Sequence, residues 1–420
     1  MEQLLLGVYS GSGPSNAGLT YNGLVGGSAW NFTLTNAEAI VSVPGIIKNL
    51  RVLLNGIPGA GKWWDFHLMV NGVATALSVL INNPDTSGSN LVNEVAVAAG
   101  DTVCIRAEPT DGVTNSQIVH WTTKFVSANR AQSLILGTNA DTLNNAATEY
   151  CGIMGWAQNL NATEDFMRQV CPTGGTFKNF YVKLSADPGI DPDGYEFTLR
   201  VNMADSDDGE GNPLQVTITA DATTGNDTTH EIPVVAGNIL TMKIVPLNGP
   251  LATPKFFWGM CFVPDRDGES ILIGGNPGLQ PDIDVTEYNR IVSTAGASWF
   301  PAASEVQVST IGEACTLEKL HVLLWPAPGA GDSYDFTVRI NAVDGNVTLH
   351  IHDADTTGDS GALSDAVSDD DLIALECDPT GSPNLTWPYF GLVSFIEPPP
   401  IILTDKSANM ANKMVAAGLI

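Results

Sequence analysis

Basic residues are scarce in this chain: 18 Lys and Arg stand against 46 Asp and Glu, a formal charge of −28. Nucleic-acid binding needs a basic footprint, so no nucleic-acid partner is expected. Charged residues of either sign reach only 15%, against ~25% in ordinary globular domains. Long apolar runs are missing too. No segment approaches the ~20 residues that span a bilayer, and "MEQLLLGVYSGSG" has neither the basic region nor the apolar stretch of a signal peptide. Membrane insertion is therefore not expected, and the chain is expected to be made and folded in the cytosol. The six cysteines, Cys104, Cys151, Cys171, Cys261, Cys315 and Cys377, form no C-x-x-C pair and no regular spacing with histidine. Zinc and redox motifs lack support. Free buried thiols are expected, a Cys151–Cys171 bridge requiring an oxidising compartment.

Helical periodicity is nearly absent as well. What the chain does have is 42 Gly, 25 Pro and 44% hydrophobic residues in 420, enough for two to four domains of short strands joined by tight turns. The acidity suits solubility, cation binding or docking on a basic partner.

One unit occurs three times. "LLLG" (4–7), "LILG" (134–137) and "ILIG" (271–274) open the copies, and Trp30, Trp156 and Trp299 follow. Next come "IIKNLRVLL", "TFKNFYVKL" and "TLEKLHVLL", then "WDFHLMVNG", "YEFTLRVNM" and "YDFTVRINA". Gly88, Gly225 and Gly358 are separated by 137 and 133 residues, and Pro109, Pro246 and Pro379 repeat both separations. The copies close on "KFVSA", "CFVPD" and "SFIEP". Such self-similarity marks tandem units, here 1–129, 130–267 and 268–397.

In the first copy the pattern gives about eight strands, near 3–9, 28–34, 46–54, 64–71, 75–82, 93–98, 101–107 and 118–126, with "AAGD" reading as a hairpin turn. The expected fold class is all-β: three tandem eight-stranded β-sandwiches of jelly-roll type. An immunoglobulin-like sandwich is the alternative, but its Cys…Trp…Cys spacing is absent. Linkers of about seven residues ("SANRAQS", "PDRDGES") are too short for free swinging. Neighbouring units should touch, stacked as a rod or closed around a pseudo-threefold axis. Residues 398–420 begin with "PPP", a stiff spacer, and continue into a short amphipathic helix capped by Asp405, with Ala408, Ala411, Met414 and Val415 on one face. They read as a docking arm or a frayed terminus.

Candidate chemistry is thin. "NGIPGAGKWWDF" (55–66) holds most of a phosphate-binding loop, with Gly56, Gly61 and Lys62. The Mg²⁺-binding hydroxyl is replaced by Trp63, and a strand follows where a helix is needed. Its counterparts "SADPGIDPDGYEF" and "PAPGAGDSYDF" place Asp193 and Asp332 where Lys62 stands. A phosphate site would not survive that reversal, whereas a turn would. None of His67, His120, His230, His321, His350 and His352 recurs in all copies, and no G-x-S-x-G or H-E-x-x-H motif exists. His350 and His352 share a strand face with Asp353 and Asp355 close behind, a possible transition-metal set; the plain alternative is a strand entering a turn. The second copy has an insertion around "NMADSDDGEGNP", where Asp205, Asp207, Asp208 and Glu210 could offer oxygens to Ca²⁺ or form a solvated hairpin tip. Asp369–Asp371 and similar acidic pairs are too numerous to single out a general acid and base. Trp63, facing Gly194 and Ser333 in the other copies, is a candidate interface anchor or sugar-stacking residue. No catalytic, cofactor-binding or metal residue is assigned, and neither an enzyme nor a cofactor is expected.

Three β-sandwiches with no catalytic signature, on short linkers and with "VAAGD" between strands, resemble virion structural proteins of tailed bacteriophages built from tandem jelly rolls. The resemblance is one of architecture over residues 1–400 and implies no functional residue. It implies a capsid decoration, head-fibre or tail protein located in the virion, homo-oligomeric with a trimer among the expectations, and docked on other virion proteins. A second reading is a glycan-binding adhesin that recognises a host surface through loop aromatics and acidic Ca²⁺ sites.

Overall fold

The computed structural model describes residues 1–398 apart from 10, 12, 28, 115–117, 130, 140, 158–159, 276–279 and 293–298. All but the first residue of the expected arm 398–420 lies outside the described residues. The chain is all-β, and its six sheets fall into three pairs, one pair per sequence repeat. Among the described residues no strand of one pair is hydrogen-bonded into a sheet of another.

In the first repeat one sheet runs Glu2–Tyr9, Val119–Ser127, Gly45–Leu54, Ser87–Val97, and the other Thr20–Asn22, Thr102–Pro109, Trp63–Val70, Val73–Asn82. Counted along the chain these are orders 1-8-3-6 and 2-7-4-5. This is the wrapped pairing of a jelly roll, in which every connection but the fourth-to-fifth hairpin crosses between two sheets. The other repeats keep the pattern, with Ser133–Asn139, Phe256–Pro264 and Gly175–Leu184 adjacent in one, and Glu269–Gly275, Trp387–Phe395 and Cys315–Trp325 in the other.

Three local expectations change. Of the strand expected near 28–34, residues 29–34 are not a strand, because Asn31 Oδ1 accepts from the Thr33 N–H at 2.8 Å and from Asn36 Nδ2 at 3.1 Å. That side chain offers the backbone a turn in place of a ladder, and the second strand lies earlier, at Thr20–Asn22. "AAGD" is not a hairpin turn: Ser87–Val97 and Thr102–Pro109 belong to different sheets. A turn of the same chemistry here carries the chain across the sandwich. The strand expected at 93–98 extends back to Ser87, its polar start having looked like loop. The hairpin that does form joins Trp63–Val70 to Val73–Asn82 through Asn71-Gly72, both at positive φ, as a two-residue turn matched to strand twist requires.

Alternation sets the core. Trp64 and Phe66 point inward with no exposure, as do Tyr195 and Phe197, and Tyr334 and Phe336. Trp30 closes the first sandwich, 5.7 Å from Trp121 and 6.2 Å from Phe66 between ring centroids, and Trp299 does the same 6.5 Å from Phe336.

The opening strands break the alternation. Leu4, Leu5 and Leu6, then Leu134, Ile135 and Leu136, then Ile271, Leu272 and Ile273, are all buried. One face of each strand lies on its own sandwich and the other on a neighbouring repeat, so the run is apolar on both sides. Burial of each such side chain is worth ~1.5–3 kcal/mol. As a result a single apolar cluster runs through all three repeats.

The repeats close into a ring. Ala39–Ile40 of the first repeat packs on strands of the second, Gln169–Val170 of the second on strands of the third, and Thr310–Ile311 of the third on strands of the first. These three short segments are equivalent in the repeat. The arrangement is therefore head-to-tail and cyclic, with a pseudo-threefold axis, and the rod is excluded.

Candidate functional site

Each seam of the ring is built at one repeat position. The last long strand of each repeat holds an aromatic, Trp121, Trp258 or Phe390, followed by Thr122, Gly259 or Gly391. A Cβ on Gly259 would lie 1.8 Å from the carbonyl oxygen of Ile40, and one on Gly391 2.1 Å from that of Val170. The preceding repeat's backbone thus enters space that only glycine leaves open. At the third seam Thr122 stands instead, and its hydroxyl donates to the Ile311 carbonyl.

Polar groups differ from seam to seam. Between the first and second repeats, Gln3 pairs with the backbone of Leu134, donating at 2.8 Å and accepting at 2.7 Å. Lys183 reaches buried Glu38 at 3.2 Å, and the Thr102 hydroxyl donates to the same carboxylate at 2.7 Å. Between the second and third, buried Glu269 takes Thr173 at 2.7 Å and Lys319 at 2.5 Å. Phe166 meets Trp325 and Trp387 edge-on at 5.4 and 5.3 Å, a geometry that favours aromatic pairs.

Between the third and first, Arg51 contacts Glu313 at 3.0 Å, Asp369 at 2.9 Å and Asp370 at 2.7 Å. Lys124 adds a second cation to Glu313 at 3.0 Å and bonds Glu2 at 3.1 Å. Burial alone would lower the Arg51 and Lys124 pKa values, but the facing carboxylates outweigh it and both are raised.

A cleft opens at each seam. The one between the first two repeats is about 510 Å³, with Glu38, Asn71, Tyr181, Lys183 and Asn226 in its wall. The next is about 520 Å³ and the third about 240 Å³, the last flanked by Arg51 and Asp370. Trp63 lines none of the three. It is half-buried at the start of its strand, its backbone tied to Thr110 by bonds of 2.7 to 3.1 Å.

The other residues singled out in the sequence are occupied by their own neighbourhood. Lys62 Nζ donates to the Asp111 carbonyl, while Asp193 accepts from the Leu251 N–H at 3.3 Å and Asp332 from the Ser382 N–H at 3.0 Å. Reversed charges perform one task, tethering a turn to the adjacent loop. His350 faces Asp335 at 2.7 Å and His352 faces Asp353 at 2.9 Å, each imidazole with its own carboxylate. Among the described residues no group of three or more such side chains is placed to hold a metal.

Asp205 binds Arg200 and Lys243, each at 2.6 Å. Burial would raise its pKa, but the two cations hold it below the usual range. Asp207 accepts from the N–H groups of Gly209 and Gly211, and Asp208 from those of Glu210 and Asn212. The insertion is a self-capped acidic turn. Excess Ca²⁺ is therefore expected to leave the melting temperature unchanged, while Asp205→Asn lowers stability by no more than about 1 kcal/mol. Differential scanning fluorimetry with and without chelator checks both; a calcium-dependent rise would restore the cation site.

All six cysteines are free, and five are buried. Burial pushes Cys171 and Cys261 up to about 12 and Cys315 to about 11, so thiolate chemistry near neutral pH is suppressed.

The seam residues were not identified from sequence, although a signal existed. "FWGM" and "YFGL" share a glycine where "HWTT" has threonine, and only the packing shows that another repeat's carbonyl sits there.

No family model matches this chain, and no curated protein does. Among solved structures, one titled "Structure of PNGF-II in C2 space group" is similar at 7% identity, over 81% of this chain and 99% of that chain, with a TM-score of 0.21. A similarity at that level carries no functional argument.

Proposed function

We propose that this chain is a non-enzymatic structural component of a virus particle, a capsid decoration, head-fibre or tail protein that acts by docking on a symmetric surface. The observation behind this reading is the closed ring, in which equivalent segments of three jelly rolls each pack on the next. One chain supplies the threefold symmetry that a homotrimer would otherwise provide. It presents three similar sets of loops to a partner surface, which suits a threefold site occupied by a single copy. Buried thiols and self-satisfied acidic turns fit a scaffold better than a reaction centre.

The reading is tested by electron microscopy of particles purified from cells that naturally carry the gene. Density for one chain at each threefold site supports it. A protein that remains free of every particle fraction overturns it.

A further inference from the structure

The three seams are alike in geometry but not in how they are held. Residues 128–132 link the first two repeats and residues 265–268 the second and third, whereas the third closes on the first without a covalent link. Along the last long strand, that closing seam also carries the more polar residues. Repeat 1 presents His120, Thr122, Thr123 and Lys124 where repeat 2 has Phe257, Gly259, Met260 and Cys261, and repeat 3 has Tyr389, Gly391, Leu392 and Val393. His120, Thr122 and Thr123 are buried. The Thr123 hydroxyl and His120 Nε2 have no partner among the described residues, and an unpaired buried polar group costs stability.

His120 Nδ1 lies 2.7 Å from the Ser309 carbonyl. The equivalent Tyr389 also reaches across its seam, to the Asp165 carbonyl at 2.7 Å, through a hydroxyl that does not titrate near neutrality. Only the closing seam has a histidine at this position, and a fully buried one; His321, in the cleft wall of the second seam, is half-buried, and burial lowers its pKa as well.

We propose that the seam between the third and first repeats is a latch that mild acid releases, turning the closed ring into an open arc while the other two seams stay shut. The titratable and charged groups of the first repeat at this seam are Tyr9, whose charge acts on Arg290, and Arg51 and Lys124, which pair with Glu313 farther along the strands. From the third repeat come Arg290, Glu313, Asp369, Asp370 and Asp371, with the thiol of Cys315.

The signs agree. Burial, assisted by the Arg290 charge, holds His120 at about 4 against an ordinary 6.5. Above 6.5 it is neutral whether the seam is open or shut. Between 6.5 and 4 the open form takes up a proton that the closed form refuses, so closure weakens as pH falls.

Hydrogen exchange read by mass spectrometry at pH 7.5 and pH 5.0, corrected for intrinsic rates, tests the latch on the intact chain. Peptides covering 119–127 and 309–313 are expected to lose protection at least tenfold at the lower pH, while 256–264 and 387–395 keep theirs. His120→Asn preserves a donor to Ser309 without the titration, and His120→Tyr installs the group used at the neighbouring seam. Either variant that folds should remove the pH dependence. Simultaneous loss at all three seams, no loss at the closing seam, or a pH response that survives the substitution would overturn the proposal.

Discussion

Gly259→Val is expected to destabilise the protein by about 3 kcal/mol or more, because overpacking at a site that cannot yield costs 1–3 kcal/mol and at times exceeds it. The added Cβ meets the Ile40 carbonyl oxygen at 1.8 Å and its carbon at 2.9 Å. Neither atom can move aside freely, since Ile40 is paired to Thr102 in its own sheet. Relief requires the two repeats to part, which exposes apolar surface that the ring buries. Gly391→Val should behave alike against Val170, whereas Gly18→Ala, with nothing within 4 Å of the new atom, should be neutral. At ~2–4 °C per kcal/mol for chains approaching this size, calorimetry should show a fall of about 6 °C or more. Wild-type melting of Gly259→Val would mean that the close approach does not exist.

Arg51→Met is expected to cost about 3–5 kcal/mol, the range for removing one partner of a buried ion pair. Glu313 is 1% exposed. It would keep only Lys124 and the Asn49 amide, 3.2 Å away. Asp369 and Asp370 are exposed over more than half of their side chains, so their loss contributes little. The cost arises mainly from the stranded carboxylate, and the double variant Arg51→Met/Glu313→Gln should recover much of it. Urea midpoints for the two single variants and the double variant decide this. Simple additivity would show that the two side chains do not act as a pair.

These effects could not be foreseen from the sequence, although much of the fold could. Fold class followed from alternation in segments such as "YEFTLRVNM" and from the tripled landmarks. The jelly-roll wrap was expected from strand number and is now seen in the order of the sheets. Where a side chain competes with the ladder, as Asn31 does, the strand expected near 28–34 does not form as placed. "AAGD" misled for another reason: turn chemistry specifies a reversal but not which sheet receives the next strand. Comparing the repeats turned the Lys62 loop from a phosphate-loop resemblance into a turn between strands, yet its partner, a backbone carbonyl, has no sequence signal. The seams were hidden for the same reason, since Gly259 reads as an ordinary strand glycine until a second repeat is placed against it.

Closing the ring without a covalent tie makes the order of the repeats in the gene partly arbitrary. The passage from Ser127 to Ser133 carries the chain out of one repeat's last strand into the next repeat's first. By the pseudo-threefold relation, the same step exists in space between Phe395 and Glu2, which the sequence does not join. The ring has three equivalent seams, and this sequence joins the repeats covalently at two of them. A gene carrying the repeats in the order second, third, first would specify the same closed set of contacts, with its free seam moved one position around the axis.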